Sequence, residues 1–327
     1  MLLKLWPQQT NVSFMSARLI GAVISSLLIA SSVFFLATRG LNFGVDFAGG
    51  TVMELEQTDT ITVEAVRSAM PLNADVNSAV GTDARSIVVV KYGEADASVL
   101  GDEFQALPPA EQAERATGAT NELVTSTLKD ALGITDEQIL RNDSVGPKVS
   151  QELFRDGITA LVAALVLMLI YIWFRFEWQF SVGAVAALAH DVIITLGVFA
   201  FLQMEFNLTT IAALLTIIGY SMNDTVVVFD RVREEKRKYK KMPDKEVINL
   251  ALNGTLSRTL LTSGTTLLAL LAIFFLGGPV LRGMSFALIW GVLIGTYSSI
   301  FIASTIVLAL GMDLTKKPVE DVPGFQG

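Results

Sequence analysis

Apolar residues are not spread evenly along this chain; they gather into six long runs separated by polar stretches. The runs are Ala17–Ala37, Gly157–Phe174, Phe180–Leu202, Leu208–Phe229, Leu256–Leu276 and Met284–Leu310. About 20 consecutive apolar residues cross a bilayer as a helix, so the pattern predicts six transmembrane helices. The last run exceeds one crossing and predicts a tilted helix or an interfacial extension. The first resembles a secretory signal only superficially: it is longer than a signal core, and no convincing small-residue cleavage site precedes Arg39, so it reads as a retained anchor.

Between the first two runs the period changes. "TVMELEQ" (Thr51–Gln57) alternates as a half-buried strand, "TVEAVRSAM" (Thr62–Met70) is helical, and "SIVVVKY" (Ser86–Tyr92) is a buried strand. A helix follows around Ala119–Ala131, and "QILRNDSVG" (Gln138–Gly146) closes as a strand, with a weaker one near Asp75–Val80. This order predicts a small α+β domain with a ferredoxin-like sheet and helices on one face. No catalytic cluster is visible in it, which favours a binding or lever role.

Composition agrees: 52% of residues are hydrophobic and 17% charged, and the mean hydropathy is +0.53. The formal charge of −8 conceals an asymmetry. Arg231, Arg233, Lys236, Arg237, Lys238, Lys240, Lys241 and Lys245 crowd one segment after the fourth run. By the positive-inside rule that segment is cytoplasmic, which places both termini in the cytoplasm and the acid-rich segment outside. The expected organisation is residues 1–37 as N-terminus and first span, and 38–156 as a periplasmic α+β domain. Residues 157–311 follow as spans two to six with a basic cytoplasmic loop at 231–255, and 312–327 form a cytoplasmic tail. The basic loop reads as a topology anchor against anionic lipid rather than a nucleic-acid site. Cysteine is absent, excluding disulfides, thiolate metal sites and a Cys nucleophile. A single histidine makes no His-rich metal site. No GxxxxGK[ST] phosphate loop occurs, so an enzyme reading has no support beyond proton handling.

Polar groups inside the runs carry the candidate chemistry. A charge at the bilayer centre costs about 2.5–3.5 kcal/mol on insertion scales and normally faces a partner or a water path. Asp224, beside Asn223, lies roughly 9 Å inside the end of the fourth run at 1.5 Å per residue. In the fifth run Thr255, Arg258, Thr262 and Thr265 recur at spacings of three and four and draw one polar stripe. Arg258 begins in the same half of the membrane as Asp224. Two readings stay open. In one, Asp224 and Arg258 form a static salt bridge with threonine hydroxyls as interhelical glue. In the other, Asp224 exchanges a proton, because a desolvated carboxylate holds protons tightly and a nearby cation loosens them. Asp191, within "AALAHDV", either lines the same path or sits in close helix packing. His190 points about 100° away from it and reads as a packed polar side chain. Asp230 reads as an interfacial ion pair or cap next to Arg231. Gly44, Gly49 and Gly50 are either hinges or a plain turn between the first span and the first strand.

Four segments together resemble the SecD/SecF family of bacterial protein export, on its smaller, SecF-type side. They are "LNFGVDFAGGTVMEL" (Leu41–Leu55), "SVGPKVSQEL" (Ser144–Leu153), "GYSMNDTVVVFDRVRE" (Gly219–Glu234) and "SRTLLTSGTTLLALLAIFFLGG" (Ser257–Gly278). The resemblance runs from Arg18 to about Leu310. It implies an α-helical membrane protein of the resistance-nodulation-division superfamily, with six spans forming one half of a pseudo-two-fold pair and one periplasmic domain. It implies SecD, the SecYEG channel and YajC as partners, unfolded preproteins as cargo, and residence in the bacterial inner membrane. It further implies that the proton-motive force aids late translocation and release after the SecA step, with Asp224 and Arg258 serving proton passage. Asn223, Thr262, Thr265 and Asp191 are the accompanying candidates. No cofactor is expected beyond the ion gradient, and sodium is an open alternative to protons. Two rivals differ in class: a small-molecule or lipid exporter subunit, and a passive scaffold of the translocon.

Overall fold

The computed structural model describes residues 10–80 and 85–312. Six of its helices are long and apolar enough to cross a membrane. In chain order the elements begin with α1 (Arg18–Thr38), β1 (Asn42–Phe43), α2 (Val45–Ala48), β2 (Gly50–Glu56), α3 (Val63–Ala69), β3 (Ala74–Val80) and β4 (Ser86–Tyr92). Then come α4 (Asp102–Gln105), α5 (Pro109–Leu132), β5 (Ile139–Val145), α6 (Pro147–Arg175), α7 (Trp178–Leu202) and β6 (Glu205–Phe206). The chain continues through α8 (Leu208–Lys238), α9 (Asp244–Leu276), α10 (Pro279–Ser298) and α11 (Ser304–Leu310). A π-turn at Ser299–Ala303 joins the last two, so the sixth span is one long helix with a register break.

The sheet domain is ferredoxin-like as expected. Its strands lie in the order β3-β4-β2-β5, and every pairing is antiparallel. Helices α3 and α5 cover one face around Met53, Leu55, Val66, Val88, Val90 and Leu128, all buried. Local chemistry sets the helix ends. The Thr62 hydroxyl accepts from the Ala65 amide to start α3, Pro109 opens α5, and Gly133 in the left-handed region ends it. The weak strand at Asp75–Val80 is real and pairs along the whole of β4.

Two boundaries differ from the reading of the sequence. The second span starts at Pro147, ten residues before its apolar run, so α6 leaves β5 with only Gly146 between them. The expected basic loop 231–255 is mostly helical: α8 extends to Lys238, α9 starts at Asp244, and only residues 239–243 are irregular. Hydropathy ends where charge begins, whereas a helix continues wherever its side chains can pair. Glu177–Arg233, Arg231–Glu235 and Lys236–Asp244 are such pairs. Arg237, Lys238, Lys240, Lys241 and Lys245 are left exposed. The tail from residue 313 onward lies outside the described residues.

Within the bundle α7, α8 and the sixth span are about half buried, whereas α1, α6 and α9 present most of their surface outward. Small residues let the inner helices close up. A Cβ on Gly295 would meet the Ser221 Cβ at 3.0 Å, and one on Gly291 would meet Ile217 Cγ1 at 2.2 Å.

The glycines after α1 make a tight turn. Gly49 and Gly50 have φ of +73° and +99°, and a Cβ on Gly50 would stand 2.5 Å from the Tyr92 carbonyl oxygen. Gly44 is extended, with φ of −72°. It is required by close approach, since a Cβ there would lie 2.8 Å from Glu205 Oε1. Gly50→Ala should therefore cost about 1–3 kcal/mol through strain alone; thermal unfolding of the detergent-solubilised chain measures it.

Burial pushes the Tyr92 phenol up to about 12, opposed by a hydrogen bond from Thr51. Because the folded pKa exceeds the ordinary 10, this group's contribution is complete below pH 10 and is lost as pH rises through 12. Tyrosinate absorbance during alkaline titration should show a late-titrating component that is lost in Tyr92→Phe.

Candidate functional site

Asp191 and Asp224 are both buried within the apolar runs, and their surroundings differ. Asp191 on α7 is fully buried and saturated with donors. Its Oδ2 accepts from the Ser221 hydroxyl on α8 at 2.6 Å and from the Ser298 hydroxyl on α10 at 2.8 Å. Its Oδ1 is 2.9 Å from His190 Nδ1. The other ring nitrogen, His190 Nε2, meets the Ser25 hydroxyl of α1 at 3.1 Å. Ser25 in turn meets the Tyr297 hydroxyl at 3.0 Å, and Tyr297 donates to the Gly21 carbonyl at 2.7 Å. One polar cluster thus ties four helices together through Asp191.

His190 is buried and hydrogen-bonded, the packed polar side chain that the sequence suggests, but its direction differs. A 100° offset along the helix suggested that it faced away from Asp191, but the ring turns back onto its neighbour's carboxylate. The close-packing reading of Asp191 holds, since its donors are serines on helices that approach closely.

Asp224 on α8 is 6% exposed and far less satisfied. Its Oδ1 accepts from the Thr259 hydroxyl of α9 at 2.9 Å. Its Oδ2 is buried with no hydrogen-bond partner. Around it, Tyr220 donates to Ser263 at 3.2 Å, Ser263 meets Thr296 at 2.9 Å, and Thr225 meets Ser299 at 2.8 Å. A carboxylate half supplied with donors in a dry interior is costly, and such groups are candidates for charge exchange.

The expected Asp224–Arg258 contact is not formed: no ion pair joins the two side chains among the described residues. Arg258, Thr262 and Thr265 all face outward, and both threonine hydroxyls bond back to carbonyls of their own helix. A second stripe, Thr255, Thr259 and Ser263, is the buried one. The two stripes are one residue apart in sequence, which rotates them by about 100°. Asn223 likewise sits on the exposed side of α8. Asn223, Arg258, Thr262 and Thr265 therefore mark the outward side of the α8–α9 pair, with Asp224 just behind it. Arg258 adjoins in sequence the threonine that holds Asp224, so both lie at one depth. Asp230 does form an interfacial pair, but with Arg175 at 2.9 Å and not with Arg231. Among the described residues, no three His, Cys, Asp or Glu side chains converge as metal ligands.

Residues 124–313 match the family model described as protein export membrane protein SecD/SecF, C-terminal. The chain belongs to the SecD/SecF family. A second family model, the SecD/SecF GG motif, covers residues 34–56 and so includes Gly49 and Gly50. A protein translocase subunit SecF from Cereibacter sphaeroides is 46% identical over 95% of this chain and 93% of its own length. That of Vibrio alginolyticus is 40% identical over 93% and 91%. The crystal structure of SecDF, a translocon-associated membrane protein from Thermus thermophilus, is 34% identical with a TM-score of 0.76. It is matched over 94% of this chain, which spans 39% of that longer one. SecDF in a super-membrane-facing form is 35% identical at the same coverage, with a TM-score of 0.65.

The two stripes of α9 give opposite expectations. Thr259→Val removes the single donor to Asp224 and should destabilise the detergent-solubilised chain by about 1–3 kcal/mol. Thr262→Val, on the outward stripe, should stay within about 0.5 kcal/mol in the same thermal unfolding measurement.

Proposed function

We propose that this chain is the SecF subunit of a SecD/SecF protein translocase, and that the pair uses the proton-motive force for late translocation and release of preproteins. In this reading Asp224 is the titrating group. Arg258 is the cation whose approach or withdrawal changes the charge that Asp224 carries, with Asn223, Thr262 and Thr265 beside it. The observation that carries the reading is the unpartnered Oδ2 of Asp224, buried in a membrane span at the depth of an arginine on the outward side.

An arginine and two threonines are poorly suited to lipid, where a central charge costs about 2.5–3.5 kcal/mol. A second polypeptide covering that side removes the cost, and SecD is the partner proposed for it. Support comes from the SecDF chain, in which the matched region takes up 39% of the length and leaves room for a SecD half. SecYEG and YajC are proposed as further partners, and unfolded preproteins as the cargo. The membrane is then the bacterial inner membrane, with the exposed basic segment of Arg237 to Lys245 and both termini cytoplasmic and the sheet domain periplasmic. The driving element is an ion gradient, not a bound cofactor, and the chain is a transport component without catalytic chemistry. Moving one charge through the membrane potential supplies about 2.3 kcal/mol per 100 mV, enough to bias a two-state rearrangement. The two SecDF structures superpose on this chain unequally, at TM-scores of 0.76 and 0.65, in keeping with a family fold that adopts more than one arrangement.

Asp224→Asn preserves size and removes titration. Pulse-chase release of a periplasmic protein should slow by about tenfold, a coupling of roughly 1.4 kcal/mol, while SecD still co-purifies. Normal export with an assembled complex would favour the scaffold reading. Replacing external sodium with choline should leave the rate unchanged, and a dependence on sodium would make sodium the coupling ion.

A further inference from the structure

The first residues after α1 do more than turn the chain. Arg39 Nη1 donates to the Phe201 carbonyl at 3.0 Å, and Asn42 Nδ2 to the Gln203 carbonyl at 2.9 Å. Strand β1 then pairs in parallel with β6, Phe43 opposite Phe206, and the Gly44 amide donates to the Phe206 carbonyl at 2.9 Å. Past that point the Asp46 carboxylate reaches the start of α8, where Oδ2 accepts from the Leu208 amide at 3.0 Å. On the far side Phe47 packs against Phe154 of α6 and against Phe206, with ring centroids 5.5 and 5.8 Å apart. Four residues after Asp46 the chain enters β2, which pairs with both β4 and β5.

Helix α8 is the helix of Asp224. Its first amides have no partner within the helix. The Asn207 side chain accepts from the Thr210 amide at 3.1 Å, and Asp46 supplies the acceptor for the Leu208 amide. A carboxylate at this positive end makes a charge-assisted hydrogen bond that is stronger than a neutral one. Asp46 stands 162 positions away in sequence, so this cap joins two separate parts of the fold. Sixteen residues of helix, about 24 Å at 1.5 Å per residue, separate that amide from Asp224. A rigid helix is one of the elements that carry a displacement over that distance.

We propose that Asp46 is a positioning residue that couples α8 to the sheet domain, through the Asp46–Leu208 bond, so that displacement of the Asp224 helix is delivered to β2. The inference rests on the proton-driven reading above. It assigns Asp46 no part in moving the proton itself. Gly49 and Gly50 are then the stiff tight turn between cap and strand.

The test uses the complex of this chain with SecD and the channel, in vesicles where proton flux and preprotein export are read together. Two substitutions remove the bond from opposite sides. Asp46→Ala deletes the acceptor. Leu208→Pro deletes the donor at the first helical position, where proline is tolerated. Each should leave proton flux close to wild type and lower export per proton by about fivefold or more, the low end of measured coupling energies. The double variant should be no worse than either single one, and Asp46→Asn, which keeps an acceptor, should recover most of the ratio.

An unchanged ratio in both single variants, additive losses in the double, or equal loss of flux and export in every variant would each overturn the inference. Asp224→Asn in the same vesicles separates the two readings. If it leaves flux and export intact, the proton-driven function fails. If it stops both while Asp46→Ala and Leu208→Pro keep a normal ratio, only the coupling role of Asp46 fails.

Discussion

Hydrogen bonding is the constraint on which this bundle depends. In a bilayer no water repairs an unmet polar group, so every buried carboxylate must find donors among the helices around it. Asp191 does so completely, with Ser221, Ser298 and His190 as partners on or through three other helices. That saturation fixes how α7, α8 and α10 face one another. The glycines of α10 opposite α8 follow from the same demand, because a serine hydroxyl reaches its neighbour only where backbones approach closely. Asp224 stands three residues beyond Ser221 on α8 and receives one donor. Of these two, Asp191 is pinned and Asp224 is left able to change.

The division extends to the outer surface of the protein. The most buried spans carry the closed network, whereas α9 offers Arg258, Thr262 and Thr265 to whatever lies beside it. A chain with such a side is incomplete as a lipid-facing object. The sheet domain is held at both ends, by Gly146 leading straight into α6 and by the strap from Arg39 to Gly50 across the start of α8. Its orientation therefore follows the helices.

Much of this was legible in the sequence, for physical reasons that differ by element. The six spans are long uninterrupted runs and the ferredoxin-like strands alternate cleanly, so hydropathy and period identify both. Strands β1 and β6 have two residues each, too few for any period to show. Asp224 stood out because a carboxylate in an apolar run is costly and needs a partner or a water path, whichever of its two readings applies. The threonine that donates to it is hidden because α9 carries two polar stripes, 258/262/265 and 255/259/263, and spacing alone does not say which one faces α8. The contact of His190 with Asp191 is hidden because helical geometry gives the direction of a Cβ and leaves the ring free to fold back. The serines of "TYSSI" were the overlooked clue to the network around Asp191.

The π-turn at Ser299–Ala303 has a consequence of its own. Ser298, just before it, bonds Asp191, and Ser299, its first residue, meets Thr225, so both polar layers of the bundle meet where the turn begins. A π-turn takes one residue more than a regular helix over the same arc, so deleting a residue within it would restore a regular helix and leave both flanks facing as before. The sixth span thus has one short stretch where a residue can be lost without changing how its flanks face; the same deletion within α10, ahead of Ser298, would swing Ser298 and Ser299 together by about 100° away from Asp191 and Thr225.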